Sequence, residues 1–295
     1  MADQQPGHIL DARLVPRAHR AVEPLHSQVY FAPELEEHLG ALGLERGRMV
    51  YFAGRAAPMG AVGPGVVTAT FCNFSPALIA RHIPRAWSIA SPEQVVEGRW
   101  AAARASLTRL LGGPEVVDGP ETAELAGLLR EACSVLGPEA RPLYAAHADL
   151  PWPEEPLLQV WHGASLLREY RGDGHLAALL DADLTGLEAL VTHTATGRGF
   201  TVESARTLRG WTSAQWDDAC AALVERGLLT REFTLTEDGA ELRETVEAET
   251  DLLSADPFLH LGQERTERVV ELARGMARRI VGAGAYPPGL LAARS

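Results

Sequence analysis

Apolar residues recur at helical spacing through most of the chain, and the clearest module lies in the second half. "LTGLEALVTHTATG" (184–197) and "TVESARTL" (201–208) each carry one apolar face. "TSAQWDDACAALVERGLLT" (212–230) opens with a Thr/Ser pair suited to an N-cap and places Leu223, Val224, Leu228 and Leu229 at core spacing. The period then changes. Thr234-Leu235-Thr236 alternates as a strand, Asp238-Gly239 supplies a turn, and "AELRETVEAETDLL" returns to a helical period. Three helices, a short β-hairpin and a closing helix make a winged helix.

The same order of features occurs earlier, displaced by roughly 120 residues. Tyr51 and Gly54 precede the first copy as Tyr170 and Gly174 precede the second. Arg85-Ala86-Trp87-Ser88 matches Arg209-Gly210-Trp211-Thr212, and "DGPETAEL" (118–125) matches "DGAEL" (238–242). The expectation is a mainly α fold built from tandem winged-helix modules with short β wings, related by an internal pseudo-two-fold. The first module covers 20–136 and the second 157–285. A linker, "GPEARPLYAAHADLPWPEEP" (137–156), is too rich in proline for a continuous helix.

One stretch interrupts the pattern. "LLREYRGDGHLAALL" (166–180) reads as two apolar helical pieces with Arg171-Gly172-Asp173-Gly174-His175 driven between them, the glycines ending the first helix. Arg168, Glu169, Arg171, Asp173 and His175 around one turn are either an ion-pair network that satisfies the helix end or a ligand site. Arginine grips carboxylates and phenolates through its planar fork, and histidine titrates near neutral pH.

Composition removes several chemistries. All 27 basic residues are arginine. With no lysine there is no Schiff base, no pyridoxal-phosphate chemistry and no P-loop lysine. The net charge of −12 opposes a protein whose main work is holding DNA. Cys72, Cys133 and Cys220 stand singly, as reduced core thiols. No nucleophile elbow, zinc spacing or phosphate-binding glycine context occurs, so no cofactor or metal is expected. The start lacks a signal-peptide centre and no long apolar run follows, which makes the cytoplasm the expected compartment.

The strings "VEPLHSQVYFAPE", "YFAGRAAPMG", "WHGASLLREYRGDGH" and "LTEDGAEL" together resemble an actinobacterial family of helix-turn-helix, MarR-like proteins, over roughly 20–285. The resemblance implies an all-helical, winged-helix-derived fold and brings no reaction or ligand. In a MarR-type dimer the junction before the first winged-helix helix lies near a cleft where effectors bind. By that analogy Tyr51, Arg55, Arg168, Asp173 and His175 line an inter-module ligand site. His26, Tyr30, Asn73 (a buried amide) and Trp161 with its neighbour His162 are further contacts. His147 and His193 read as ordinary, partly buried histidines. The expected partner is a small anionic or aromatic molecule, bound by a monomeric internal pseudo-dimer or a homodimer. The alternative is an enzyme using His175 and Asp173 for acid–base chemistry. DNA contact is doubtful. Asp217 and Asp218 occupy the recognition helix of the second copy, leaving Arg99, Arg104 and Arg109 of the first as the better DNA-binding candidates.

Overall fold

The computed structural model describes residues 10–197 and 199–287. The chain runs through α1 (Leu14–Ser27), α2 (Pro33–Ala41), α3 (Arg48–Ala56), α4 (Pro64–Thr70), α5 (Pro76–His82), α6 (Pro92–Leu111), α7 (Pro114–Val117), α8 (Pro120–Cys133) and α9 (Pro142–Ala148). It continues through α10 (Pro156–Asp181), α11 (Gly186–Ala195), α12 (Val202–Arg209), α13 (Ser213–Glu225), α14 (Glu237–Leu252) and α15 (Asp256–Gly282). Proline opens many of these helices, where its fixed φ suits the first turn and its missing N–H would have gone unpaired. The proline-rich stretch 137–156 accordingly contains a short helix, α9, and ends where Pro156 starts α10. Among the described residues no helix is long and apolar enough to cross a membrane.

The chain divides into two compact units, each drawn from both sides of 137–156. Unit 1 takes 10–38, 97–171 and 251–285 of the described residues. Its core joins Val15, Val22 and Leu25 of α1 to Leu125 and Leu129 of α8 and Val269, Val270 and Ile280 of α15. Gly262, at φ 75°, kinks α15, and the Thr266 hydroxyl bridges the kink by donating to the Gly262 carbonyl at 2.7 Å.

Unit 2 takes 39–96, 172–250 and 286–287 of the described residues. Leu184, Leu190, Val191, Ala205, Leu223 and Val246 form its second-half core. The segment 72–78 packs on this core through backbone contacts. A Cβ on Gly186 would lie 1.8 Å from the Cys72 carbonyl oxygen, and the Ser75 amide donates to the Arg209 carbonyl at 2.8 Å.

The helices of the 184–252 region form where the apolar period places them, including the Thr212 cap. Its hydroxyl accepts from the Gln215 amide while Gln215 returns a bond to the Thr212 amide. Three local expectations change. The strand at 234–236 reduces to one antiparallel bridge, Leu229 with Leu235. The reversal comes at Thr230–Phe233, not at Asp238-Gly239, which lie in the first turn of α14. Gly239 is required there because a Cβ would sit 2.0 Å from the Leu228 carbonyl oxygen. Finally, α10 passes through Arg171–His175 without a break, and neither Gly172 nor Gly174 has a positive φ. Two interior glycines cost roughly 2 kcal/mol of helix propensity. The burial of Leu166, Leu167, Ala178 and Leu179 along the same helix outweighs it.

Candidate functional site

The candidate residues fall into both units. In unit 1, α1 and the single 3-10 turn after it, α6, α9 and α10 converge on a polar cluster with almost no solvent. Arg99 is 3% exposed and His26, Gln28, His147, His162, Ser165 and Glu169 are each at 1% or below. Arg99 donates from Nη1 to His147 Nε2 at 2.9 Å and from Nη2 to the Tyr30 hydroxyl at 3.2 Å. Its guanidinium lies over the Trp161 ring, 4.8 Å from the centroid.

The remaining bonds run in one consistent direction. The Ser165 hydroxyl donates to the Trp161 carbonyl at 2.7 Å, so it accepts from His26 Nδ1–H at 2.8 Å. His26 Nε2 then accepts from the Tyr30 hydroxyl at 3.1 Å. His147 Nδ1–H donates to the Leu143 carbonyl at 2.8 Å, which leaves Nε2 to receive Arg99. His147 and His162 are neutral. Burial, then the charge of Arg99, depresses their pKa values to about 3 and about 4. Glu169 pairs with Arg168 at 2.6 Å. Arg99 itself has no carboxylate partner among the described residues; its contacts are His147, Tyr30 and the aromatic faces. Arg99 Nε, His162 Nε2 and both amide atoms of Gln28 are buried with no hydrogen-bond partner among the described residues. Each such group costs about 1–3 kcal/mol. A ligand carrying an anionic acceptor would satisfy the cation and the donors beside it. Trp100, 4.9 Å from Trp161 and 5.2 Å from His162 between ring centroids, adds a flat apolar wall.

His26, Tyr30 and Trp161 are thus brought together. Their central partner is Arg99, which the sequence pattern assigns to DNA contact and which instead lies in the core. Arg104 and Arg109 pair with Glu155 at 2.7 Å and with both carboxylate oxygens of Glu34. His147 is fully buried, not partly so. Gln28 could have been found from its place between His26 and Tyr30, on a segment whose apolar neighbours bury it.

The other candidates lie in unit 2. Arg55 is 6% exposed and covers the Phe71 ring at 4.3 Å, and Tyr51 tilts against Phe74 at 5.4 Å. Asn73 is half-buried, and its backbone carbonyl receives the Trp211 indole N–H at 2.9 Å. Asp173 is 4% exposed, and His175 Nδ1 meets the Thr250 hydroxyl at 2.8 Å. The loop that was to aim Asp173 and His175 at one cavity does not exist. Two residues apart on a continuous helix, they point to different faces. The neighbouring Arg171 pairs with Asp251 at 2.8 Å in unit 1. No group of His, Cys, Asp or Glu suited to a metal ion occurs among the described residues.

Unit 2 also holds a helix, turn and helix in sequence. α12 ends on Gly210 in the left-handed conformation, φ 73° and ψ 24°, and α13 begins at the Thr212 cap. Trp216 anchors α13 in the core at 4% exposure, while Ser213, Gln215, Asp217 and Asp218 face solvent. A family model described as a helix-turn-helix family matches residues 15–287. No curated protein and no solved structure matches the chain. The family match spans nearly the whole chain, and α12–Gly210–α13 has the geometry its name requires: the chain belongs to a helix-turn-helix family.

Proposed function

We propose that this protein is a ligand-responsive helix-turn-helix regulator of MarR-like type, with weak or lost DNA binding. Its small-molecule site is the Arg99 cluster. The observation that carries the reading is Arg99 itself, a buried guanidinium with aromatic and neutral partners and an unsatisfied Nε. An arginine remains charged at any physiological pH, so the group that completes this site is an anion. With the Trp161 and Trp100 rings, in edge-to-face contact, forming part of its surroundings, an aromatic acid is the anion best matched to it.

The cluster takes His26, Gln28, Tyr30 and Arg99 from the first proposed module, His147 from the linker and Trp161, His162 and Ser165 from the second. Within unit 1 it is therefore an inter-module site. The tandem organisation has support in a repeated start signal. Ser91 and Gln94 exchange the same pair of bonds at the head of α6, at 2.9 and 3.3 Å, that Thr212 and Gln215 exchange at the head of α13. The 229–235 reversal is the reduced counterpart of a wing. DNA affinity is weak in this reading because the exposed start of α13 presents Asp217 and Asp218 to any approaching phosphate.

The test is isothermal titration of the full chain with benzoate, salicylate and the neutral isostere benzamide, repeated on Arg99→Met and Gln28→Leu. The acids should bind, benzamide should not, and Arg99→Met should abolish binding. Gln28→Leu, which replaces an unsatisfied amide by an apolar group, keeps the fold and weakens binding. Equal binding of acid and amide, or acid binding untouched by both substitutions, would rule the site out. Retention on random duplex DNA at about 50 and about 200 mM salt tests the regulator half separately.

A further inference from the structure

We propose that the outer face of the helix-turn-helix motif is a binding site for a hydrophobic organic cation. Beside α13, a groove of about 650 Å³ opens against the 229–233 reversal, inside the range of roughly 300–1,000 Å³ typical of small-molecule sites. Trp216, Cys220, Val224, Leu229 and Phe233 form its apolar lining. The Trp216 and Phe233 rings stand 6.2 Å apart between centroids at 33° to each other. Trp216, at 4% exposed, backs the groove, and the half-buried Phe233 ring supplies the aromatic surface to which a cation is drawn by the ring quadrupole.

Phe233 is held at φ 62°, a left-handed conformation that costs a bulky residue roughly 1–2 kcal/mol. That backbone sets its ring against Trp216, beside the groove. At the rim, Asp217 and Glu225 are exposed. The Asp217 carboxylate is close enough to the Cys220 thiol to add to the upward push that burial gives its pKa. Among the described residues Arg231 is the one cation lining the groove; Asp218, Glu232, Glu237 and Asp238 are exposed close by in the chain. Arg226 is already engaged with Glu188 at 3.3 Å. A face with this balance repels a polyanion and attracts a positive charge, and its aromatic lining selects a cation with an apolar body.

The probe is tetraphenylphosphonium, with tetraphenylborate as a control of matching shape and opposite charge. Binding is read on the full chain by calorimetry and by protection of Cys220 from iodoacetamide, with half-buried Cys72 outside the groove as the internal reference. Tetraphenylphosphonium should bind and protect Cys220 alone, and tetraphenylborate should do neither. Asp217→Asn with Glu225→Gln, two surface changes that leave the fold in place, should weaken binding about tenfold. Phe233→Leu should weaken it by a similar factor. Equal protection by the borate, or phosphonium binding indifferent to these substitutions, would overturn the proposal. So would protection of Cys220 by duplex DNA at low salt but not by the phosphonium.

Discussion

The Arg99 cluster and the α12–α13 motif are both built around polar residues, and they treat those residues in opposite ways. In the motif, Thr201 caps α12 by accepting from the Ser204 amide, Thr212 and Gln215 close a reciprocal box, and the carboxylates point to water. In the cluster, polar atoms are gathered away from water and four of them lack partners among the described residues. Arg243 of unit 2 sharpens the contrast. It is also buried, at 5% exposed, and its Nε and Nη1 lack partners among the described residues, but its Nη2 reaches the Glu247 carboxylate at 2.7 Å. A buried arginine with a carboxylate is a structural brace, whereas Arg99 has no carboxylate partner among the described residues. In the proposed reading, a ligand's anionic group supplies the partner that the Arg99 guanidinium lacks.

The sharpest way to separate the two regions is acid. His19, His147 and His162, all in unit 1, have pKa values depressed by burial to about 3, about 3 and about 4. An unfolded histidine titrates near 6.5, so above that pH neither state is protonated and the groups carry no penalty. As pH falls below 6.5 the unfolded chain takes up protons that the folded rings refuse, and stability drops until the folded values are reached. At pH 5 the loss is about 2 kcal/mol for each of the three groups. In unit 2, His82 is also depressed by burial but is only partly buried, so it loses less. Hydrogen exchange followed by peptide mass between pH 7 and 5 should show α1, α9 and the first half of α10 losing protection before α11–α13. Loss in the reverse order would mean that the cluster histidines are accessible to protons in the folded state.

How much of this was legible in the sequence differs between the same two regions. The motif was readable because its signals are local: a Thr/Ser cap and a 3.6-residue apolar period. The cluster was not, because its members come from four distant stretches and its central residue carries a misleading prior. Arg99 sits on a helix with two other arginines that do reach the surface, and a single sequence does not say which of them turns inward. The "RGDGH" stretch failed for another reason. Glycine was read by its propensity, and tertiary packing on both sides held the helix through it. The wing shrank because strand alternation over three residues is too weak a signal to specify a ladder.

A second difference lies in what holds each region in place, and Gly186 tests it. The motif's position in unit 2 depends on the close approach of Cys72 and Asn73 to α11 and Trp211, with 1.8 Å between the Cys72 oxygen and any Cβ at 186. Gly186→Val forces backbone apart and should cost at least about 3 kcal/mol. Thermal unfolding followed by exchange should show the loss in α11–α13 and in 72–78, with the unit 1 histidine segments spared. A uniform loss across both units would mean that they unfold as one cooperative body.

The smallest effect on stability carries the most information about the motif. Asp217 and Asp218 are exposed at the start of α13, and replacing both by Arg should change stability by no more than about 0.5 kcal/mol. If these carboxylates are what keeps phosphate away, the double variant gains retention on random duplex DNA. That gain falls steeply with salt, because each new phosphate contact releases a counterion. The Arg99-dependent binding of an aromatic acid should be unaffected, since that site lies in the core of unit 1. A variant that still ignores DNA at about 50 mM salt would show that the shape of the face, with its shortened 229–235 reversal, excludes the duplex irrespective of charge. The motif would then be a scaffold inherited with the fold, and the small-molecule sites would be where this protein meets its surroundings.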